Sequence, residues 1–257
     1  MKIEQIFFEN SKGEKIGGFL HMPEGEGPFP AVVLVHGYGG GTHENKNIHM
    51  CNELAKEGFV ALRFDFYDKP NGISEPSIEN MSVTQQIDTT KSAIDFISSL
   101  EYVDKNKIGL TGHSLGGMTV VLYTPTDDRI KALVVQSAVS KWGDTNELKK
   151  YAQPEVKERG YLLRNKSWGE MKINYSFYED GFKHDIFRSA EKIKCPTLVF
   201  HGDMDASVPI EHAKELIKHL KTEDRLEIIK GADHCYYDND TLPIATKLMI
   251  EWFKKWL

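Results

Sequence analysis

An α/β fold, a mostly parallel sheet enclosed by helices, is the class this sequence predicts, and three observations carry it. Short, almost wholly apolar runs such as Ala31-Val32-Val33-Leu34-Val35 alternate with longer amphipathic ones, the pattern of strands buried on both faces between crossover helices. Glycine-rich turns follow two of these runs, His36-Gly37-Tyr38-Gly39-Gly40-Gly41 and Gly112-His113-Ser114-Leu115-Gly116-Gly117. A length of 257 residues suits one large domain of this class better than two independent ones.

Two strands open the chain, residues 2–8 and 15–22, and the turn Asn10-Ser11-Lys12-Gly13-Glu14 between them predicts an antiparallel hairpin. From Pro30 the rhythm is strand 31–35, helix 47–57, strand 60–64, helix 83–100, strand 107–111, helix 115–123 and strand 130–136. It fails between residues 141 and 190 and resumes with strand 197–201, helix 210–220, strand 226–230 and helix 241–256. An interruption of that size predicts a lid inserted over the sheet of a single domain spanning 1–257. Within it, 147–159 is expected to be helical, with strands at 161–164 and 172–178 around Ser167-Trp168-Gly169.

Composition narrows the partners. A net charge of −6, with 40% hydrophobic and 27% charged residues, provides no basic footprint for nucleic acid. The N-terminus is broken by charge every few residues, and no apolar run is long enough to span a bilayer, so a cytoplasmic protein without a membrane partner is expected. Cys51, Cys195 and Cys235 show neither paired nor metal-type spacing, so no disulfide framework and no metal is expected.

The chemistry starts at Ser114. A serine between glycines 112 and 116, directly after a strand and before a helix, has the form of a nucleophile elbow. The hydroxyl needs a base, and the base needs an orienting acid, which on such a sheet follow the serine in the order acid, then histidine. The loop Gly202-Asp203-Met204-Asp205-Ala206-Ser207-Val208-Pro209 leaves a strand and offers Asp203 and Asp205, of which Asp205 is favoured. Beyond it lie His212 and His219, both inside a predicted helix, and His234, in the loop Gly231-Ala232-Asp233-His234 after the last strand. His234 is therefore the expected base. For the oxyanion, the N–H of Leu115 is one expected donor and that of Tyr38 the second, with the glycines at 39–41 as the alternative to Tyr38.

On these residues the chain resembles the α/β-hydrolase superfamily over nearly its whole length, and within it the bacterial cinnamoyl and feruloyl esterases. The resemblance rests on His36-Gly37-Tyr38, Arg63-Phe64-Asp65-Phe66, Glu79-Asn80-Met81-Ser82-Val83, Gly112-His113-Ser114-Leu115-Gly116-Gly117 and Gly231-Ala232-Asp233-His234-Cys235. It implies an eight-stranded, mostly parallel sheet, a small lid, a Ser-His-Asp triad and oxyanion donors at Tyr38 and Leu115. The chain departs from the esterase group at Leu115, where that group carries glutamine, and across 141–190. A serine nucleophile separates it from dienelactone hydrolases and dehalogenases. With no propeller-sized region before the hydrolase pattern in these 257 residues, a typical prolyl-oligopeptidase peptidase is not expected.

The expected activity is hydrolysis of a small carboxylic ester through an acyl-enzyme, without metal or organic cofactor, with hydroxycinnamate esters the suggested substrates. Thioesterase, lactonase and small-peptidase activities are the alternatives, and a non-catalytic ligand-binding relative is the reading from a different class. The lid is rich in aromatic residues and is expected to choose the substrate, with Trp142 and Asp144 the first candidates for contact. The C-terminal helix carries Trp252, Phe253 and Trp256, expected in core packing and a candidate for pairing two copies as a homodimer.

Overall fold

The computed structural model describes residues 1–68, 72–166 and 169–257. Strands β1 (Lys2–Glu9) and β2 (Lys15–Met22) form the opening hairpin. The Asn10 side chain closes their turn by accepting the N–H groups of Lys12 and Glu14, each at 3.0 Å. Gly13 turns with φ +75°, which its missing Cβ permits.

Then come β3 (Phe29–Val35), α1 (Asn45–Lys56), β4 (Val60–Phe64), α2 (Val83–Ser99), β5 (Val103–His113), α3 (Leu115–Tyr123) and β6 (Ile130–Gln136). Residues 141–190 hold α4 (Asn146–Tyr151), α5 (Pro154–Arg159), β7 (Tyr161–Lys166), β8 (Gly169–Asn174), α6 (Ser176–Gly181) and α7 (Ile186–Ala190). The chain closes with β9 (Thr197–Gly202), α8 (Glu211–Leu216), β10 (Asp224–Ile229) and α9 (Thr241–Trp256).

Eight strands make one mixed sheet in the order β1-β2-β4-β3-β5-β6-β9-β10. It is antiparallel from β1 through β4 and parallel from there onward. Its central strands are buried on both faces. Ala31, Val33 and Val35 of β3 face the core under α2 and α3, whereas Val32 and Leu34 face the core under α1 and α9. Every residue of α3 is buried, as its mostly apolar sequence requires, and the hydroxyl of Thr119 is satisfied inside by Gln86 Oε1 at 2.9 Å. On α9, Phe253 is fully enclosed and Trp252 nearly so.

Two expectations for residues 141–190 change. The single helix expected over 147–159 is broken into α4 and α5, because Pro154 at the first turn of α5 cannot continue the preceding helix. The strand expected over 172–178 stops at Asn174, and residues from Ser176 coil into α6. There Phe177 is buried against Trp142 and Tyr151, a through-space contact that overrides local strand preference. Ser167 and Trp168, which the sequence placed at the hairpin tip, lie outside the described residues. Among the described residues no helix is long and apolar enough to cross a membrane.

Candidate active site

Ser114 sits between β5 and α3 with φ +57° and ψ −117°, a backbone conformation that residues other than glycine rarely adopt. It is held there from both sides. Its N–H donates to Gln136 O at 2.9 Å, and its own carbonyl accepts from Met118 N at 3.1 Å and Val139 N at 3.2 Å. The flanking glycines are steric necessities. A Cβ at Gly112 would lie 2.2 Å from Gly116 O, and one at Gly116 would lie 2.4 Å from His36 O.

That close approach of the loop after β3 brings Tyr38 beside the first turn of α3. Leu115 opens the helix, where an N–H has no carbonyl a turn earlier to receive it. The loop is pinned by the Arg63-Phe64-Asp65 run. The Asp65 carboxylate accepts Thr42 N at 2.7 Å and Thr42 Oγ1 at 2.8 Å, and the Arg63 guanidinium donates to Thr42 O. His36 points inward, donating Nδ1–H to Gly37 O at 2.8 Å and accepting Phe66 N–H on Nε2 at 3.2 Å.

Asp205 and His234 meet across two loops. His234 Nδ1 lies 2.7 Å from Asp205 Oδ2, and since a carboxylate only accepts, the proton sits on Nδ1 and leaves the lone pair of Nε2 for a donor. Asp205 Oδ1 accepts Ser207 N at 2.8 Å and Val208 N at 2.9 Å. Burial alone would favour the neutral acid. Hydrogen bonds from His201 and His234, the charge of His234 and the Val208 amide outweigh it and hold the carboxyl well below the usual carboxylate range. The other candidate acid, Asp203, instead braces the loops: its Oδ1 accepts Gly231 N at 2.6 Å and ties the acid loop to the histidine loop.

His212 and His219 stay with their helical segment, as the sequence indicates. His212 Nδ1 accepts Ser140 N–H at 2.9 Å, and His219 lies 3.2 Å from Glu191. Sequence reasoning missed His113, whose ring lies 4.6 Å from that of His234 and whose Nε2–H donates to His234 O at 2.8 Å. Burial, then the neighbouring Lys46 charge, pushes His113 well below the ordinary histidine range, so it holds the loop as a neutral ring. Its position beside the serine was the only available signal.

Ser114 and His234 open into one cavity of about 350 Å³, also lined by Tyr38, Leu115, Val139, Trp142, Thr145, Asn146, Glu147, Leu148, Phe177, Ala206, Ser207 and Val208. Of the two expected substrate contacts, Trp142 is in this wall, fixed by its Nε1–H donating to Tyr178 O at 2.9 Å. Asp144 is not. It points outward, half exposed, with its carboxylate 3.1 Å from Lys149 Nζ, because the chain turns there to start α4. Among the described residues, Glu147 brings the only carboxylate in the wall, its Oε1 paired with Lys150 at 2.8 Å and with Arg164.

The profile of the prolyl oligopeptidase family matches residues 77–257, the stretch holding Ser114, Asp205 and His234. The uncharacterized peptidase YuxL of Bacillus subtilis is 24% identical over 256 aligned residues, which cover 90% of this chain and 35% of that protein. The chain thus spans about a third of that relative's length. An uncharacterized 31.7 kDa protein of Escherichia coli, from the traX-finO intergenic region, is 26% identical, with 97% of this chain and 99% of that protein covered. Among solved structures, Est1E from Butyrivibrio proteoclasticus with ferulic acid bound superposes with a TM-score of 0.78 at 23% identity, over 97% of this chain and 99% of that one. The sequence set aside a typical prolyl-oligopeptidase peptidase; the match places residues 77–257 in that family. The chain has the α/β-hydrolase fold and belongs to the prolyl oligopeptidase family.

Proposed function

We propose that this hydrolase is a serine carboxylesterase that works through an acyl-enzyme. The observation that supports it most is the 2.7 Å hydrogen bond between His234 and Asp205 in a cavity shared with a strained Ser114. In this reading, His234 Nε2 takes the proton of Ser114 as Oγ attacks the ester carbonyl, and Asp205 stabilises the imidazolium. The N–H groups of Tyr38 and Leu115 receive the developing oxyanion, each donor contributing about 2.7–4 kcal/mol by comparison with known sites. His234 returns its proton to the departing alcohol. Water then attacks the acyl-enzyme by the same route and releases the acid.

The acyl group proposed is a compact aromatic one. Tyr38, Trp142 and Phe177 supply flat apolar walls, and the volume suits a single ring with a short chain. Ferulic acid bound to Est1E is a molecule of that shape. Ser114→Ala is expected to abolish hydrolysis of p-nitrophenyl acetate and labelling by a fluorophosphonate, with the circular dichroism spectrum unchanged; retained turnover would overturn the assignment. In a panel of methyl ferulate, short and long acyl esters and a peptidyl p-nitroanilide, the aromatic ester is expected to have the highest kcat/KM. Preference for the anilide would favour the peptidase reading that the relationship to YuxL raises.

A further inference from the structure

Asp205 carries a second histidine. His201, on β9 and fully buried, places Nε2 2.9 Å from Val208 O and 3.2 Å from Asp205 Oδ2, the same oxygen that receives His234. Both neighbours accept, so Nε2 bears the proton, and Nδ1 is left buried with no partner among the described residues. A side chain needed there only for volume would be better apolar, because the orphaned Nδ1 is a standing cost. What the imidazole supplies that an apolar group would not is the Nε2–H.

We infer that His201 is a positioning residue for the proposed esterase reaction, sharing Asp205 Oδ2 with His234 and setting how much of the carboxylate's charge His234 meets. The inference rests on the esterase reading. With His201 in place, the carboxylate accepts three hydrogen bonds, from two backbone amides on Oδ1 and from His234 on Oδ2, and the His201 Nε2–H, whose bond goes to Val208 O at 2.9 Å, approaches the same Oδ2 at 3.2 Å as its fourth polar neighbour. The same Nε2–H grips Val208 O, so the acid is tied to the 206–208 segment of the cavity wall. Other titratable groups face this pair. His113 comes from the nucleophile turn, Cys235 and Tyr236 from the histidine loop, and Glu211 and His212 from α8, with Asp144 and Lys141 behind His212. Among the described residues, none of these donates a hydrogen bond to Asp205; only His201 and His234 bring a side-chain N–H to its carboxylate, at 3.2 and 2.7 Å.

Removing the His201 proton concentrates the carboxylate's charge on the His234 side and also weakens the hold that keeps Asp205 ionised. The first effect stabilises the imidazolium and moves the acidic limb of kcat/KM to higher pH, while Asp205 stays ionised across that limb. The test compares His201→Leu and His201→Phe, which cannot donate, with His201→Gln, whose amide reaches the Nε2 position. In whichever non-donor variant folds, the limb is expected to rise by about half a pH unit or more and kcat to fall about tenfold with KM little changed, and His201→Gln to restore the limb. An unmoved limb in the non-donors, or a glutamine variant that behaves like them, overturns the proposal. If the parent protein shows no Ser114-dependent turnover, the esterase reading fails instead. The hydrogen-bond claim is then read from the downfield proton resonance of His234 Nδ1–H. It is expected to move in the non-donors and to hold its position in His201→Gln; no movement in the non-donors refutes it.

Discussion

At Gly116 the backbone leaves no room for a side chain. A Cβ there would meet His36 O at 2.4 Å and Val35 O at 2.5 Å, and both are backbone atoms of a central strand end that cannot swing away. Gly116→Ala is therefore expected to cost about 1–3 kcal/mol in urea denaturation. It should also separate the turn holding Ser114 from the loop holding Tyr38, so ester turnover should fall further than stability does. A variant as stable and as active as the parent would show that the close approach is dispensable. Gly160 is a control of another kind, since nothing lies within 4 Å of its Cβ position and only its φ of +81° opposes a substitution.

Helix α2 is joined to α6 through its N-terminus. Ser82 caps it in the ordinary way, accepting Gln85 N at 3.0 Å, but a second acceptor comes from α6. Asp180 receives Thr84 N and Thr84 Oγ1, each at 2.9 Å, and lies within 3.3 Å of Lys183. Burial by itself would favour the neutral acid, but the Thr84 bonds prevail and hold Asp180 below the usual carboxylate range at the positive end of the helix. The segment bearing Phe177 and Tyr178 is thereby tethered to the sheet-covering layer. Asp180→Ala is expected to cost about 1–2 kcal/mol and to speed amide exchange in both α6 and the first turn of α2. Exchange confined to α2 would mean that the tether does not hold the cavity wall.

The molecule carries several histidines kept neutral by its interior. His21 donates Nδ1–H to Asn52 Oδ1 and accepts Arg63 Nε–H on Nε2, each at 2.9 Å; burial and then the Arg63 charge bring it down to about 4. Burial likewise brings His212 down to about 4, with Asp144 opposing, and pushes His113 well below the ordinary range. In the unfolded chain all three titrate near pH 6.5. Between about pH 6.5 and 4 the unfolded state thus binds more protons than the folded one, and stability falls as pH falls through that window. Asp205 and Asp180, depressed in the fold, add a further loss only below their unfolded values near pH 4. The melting temperature is expected to be level above about pH 7 and to decline steadily toward pH 4. A level melting temperature from pH 7 to 5 would contradict the neutral assignments.

Sequence pattern alone was enough for the alternating strands and helices, the hairpin turn at Asn10, and the serine turn, acid loop and histidine loop. Each is written in a short stretch of chain: periodicity 2 or 3.6, a glycine where a Cβ would strike backbone, a proline or asparagine where the chain must turn. The split at Pro154 was legible in the same way, although the helix was expected to run through it. Loop position and chain order already favour Asp205 and His234 in the sequence, whereas the 2.7 Å contact between them, the inward turn of His36, the bracing of the histidine loop by His113 and the approach of His201 to Asp205 belong to another order of information. They join residues brought together by the order of strands in the sheet, at distances that no local propensity encodes. The cavity wall is of this kind too: Trp142 and Phe177 share a cavity with the serine, and Asp144 turns to solvent, because aromatic packing of residues 141–190 against their own rings and the sheet outweighs the strand or loop preference of each segment.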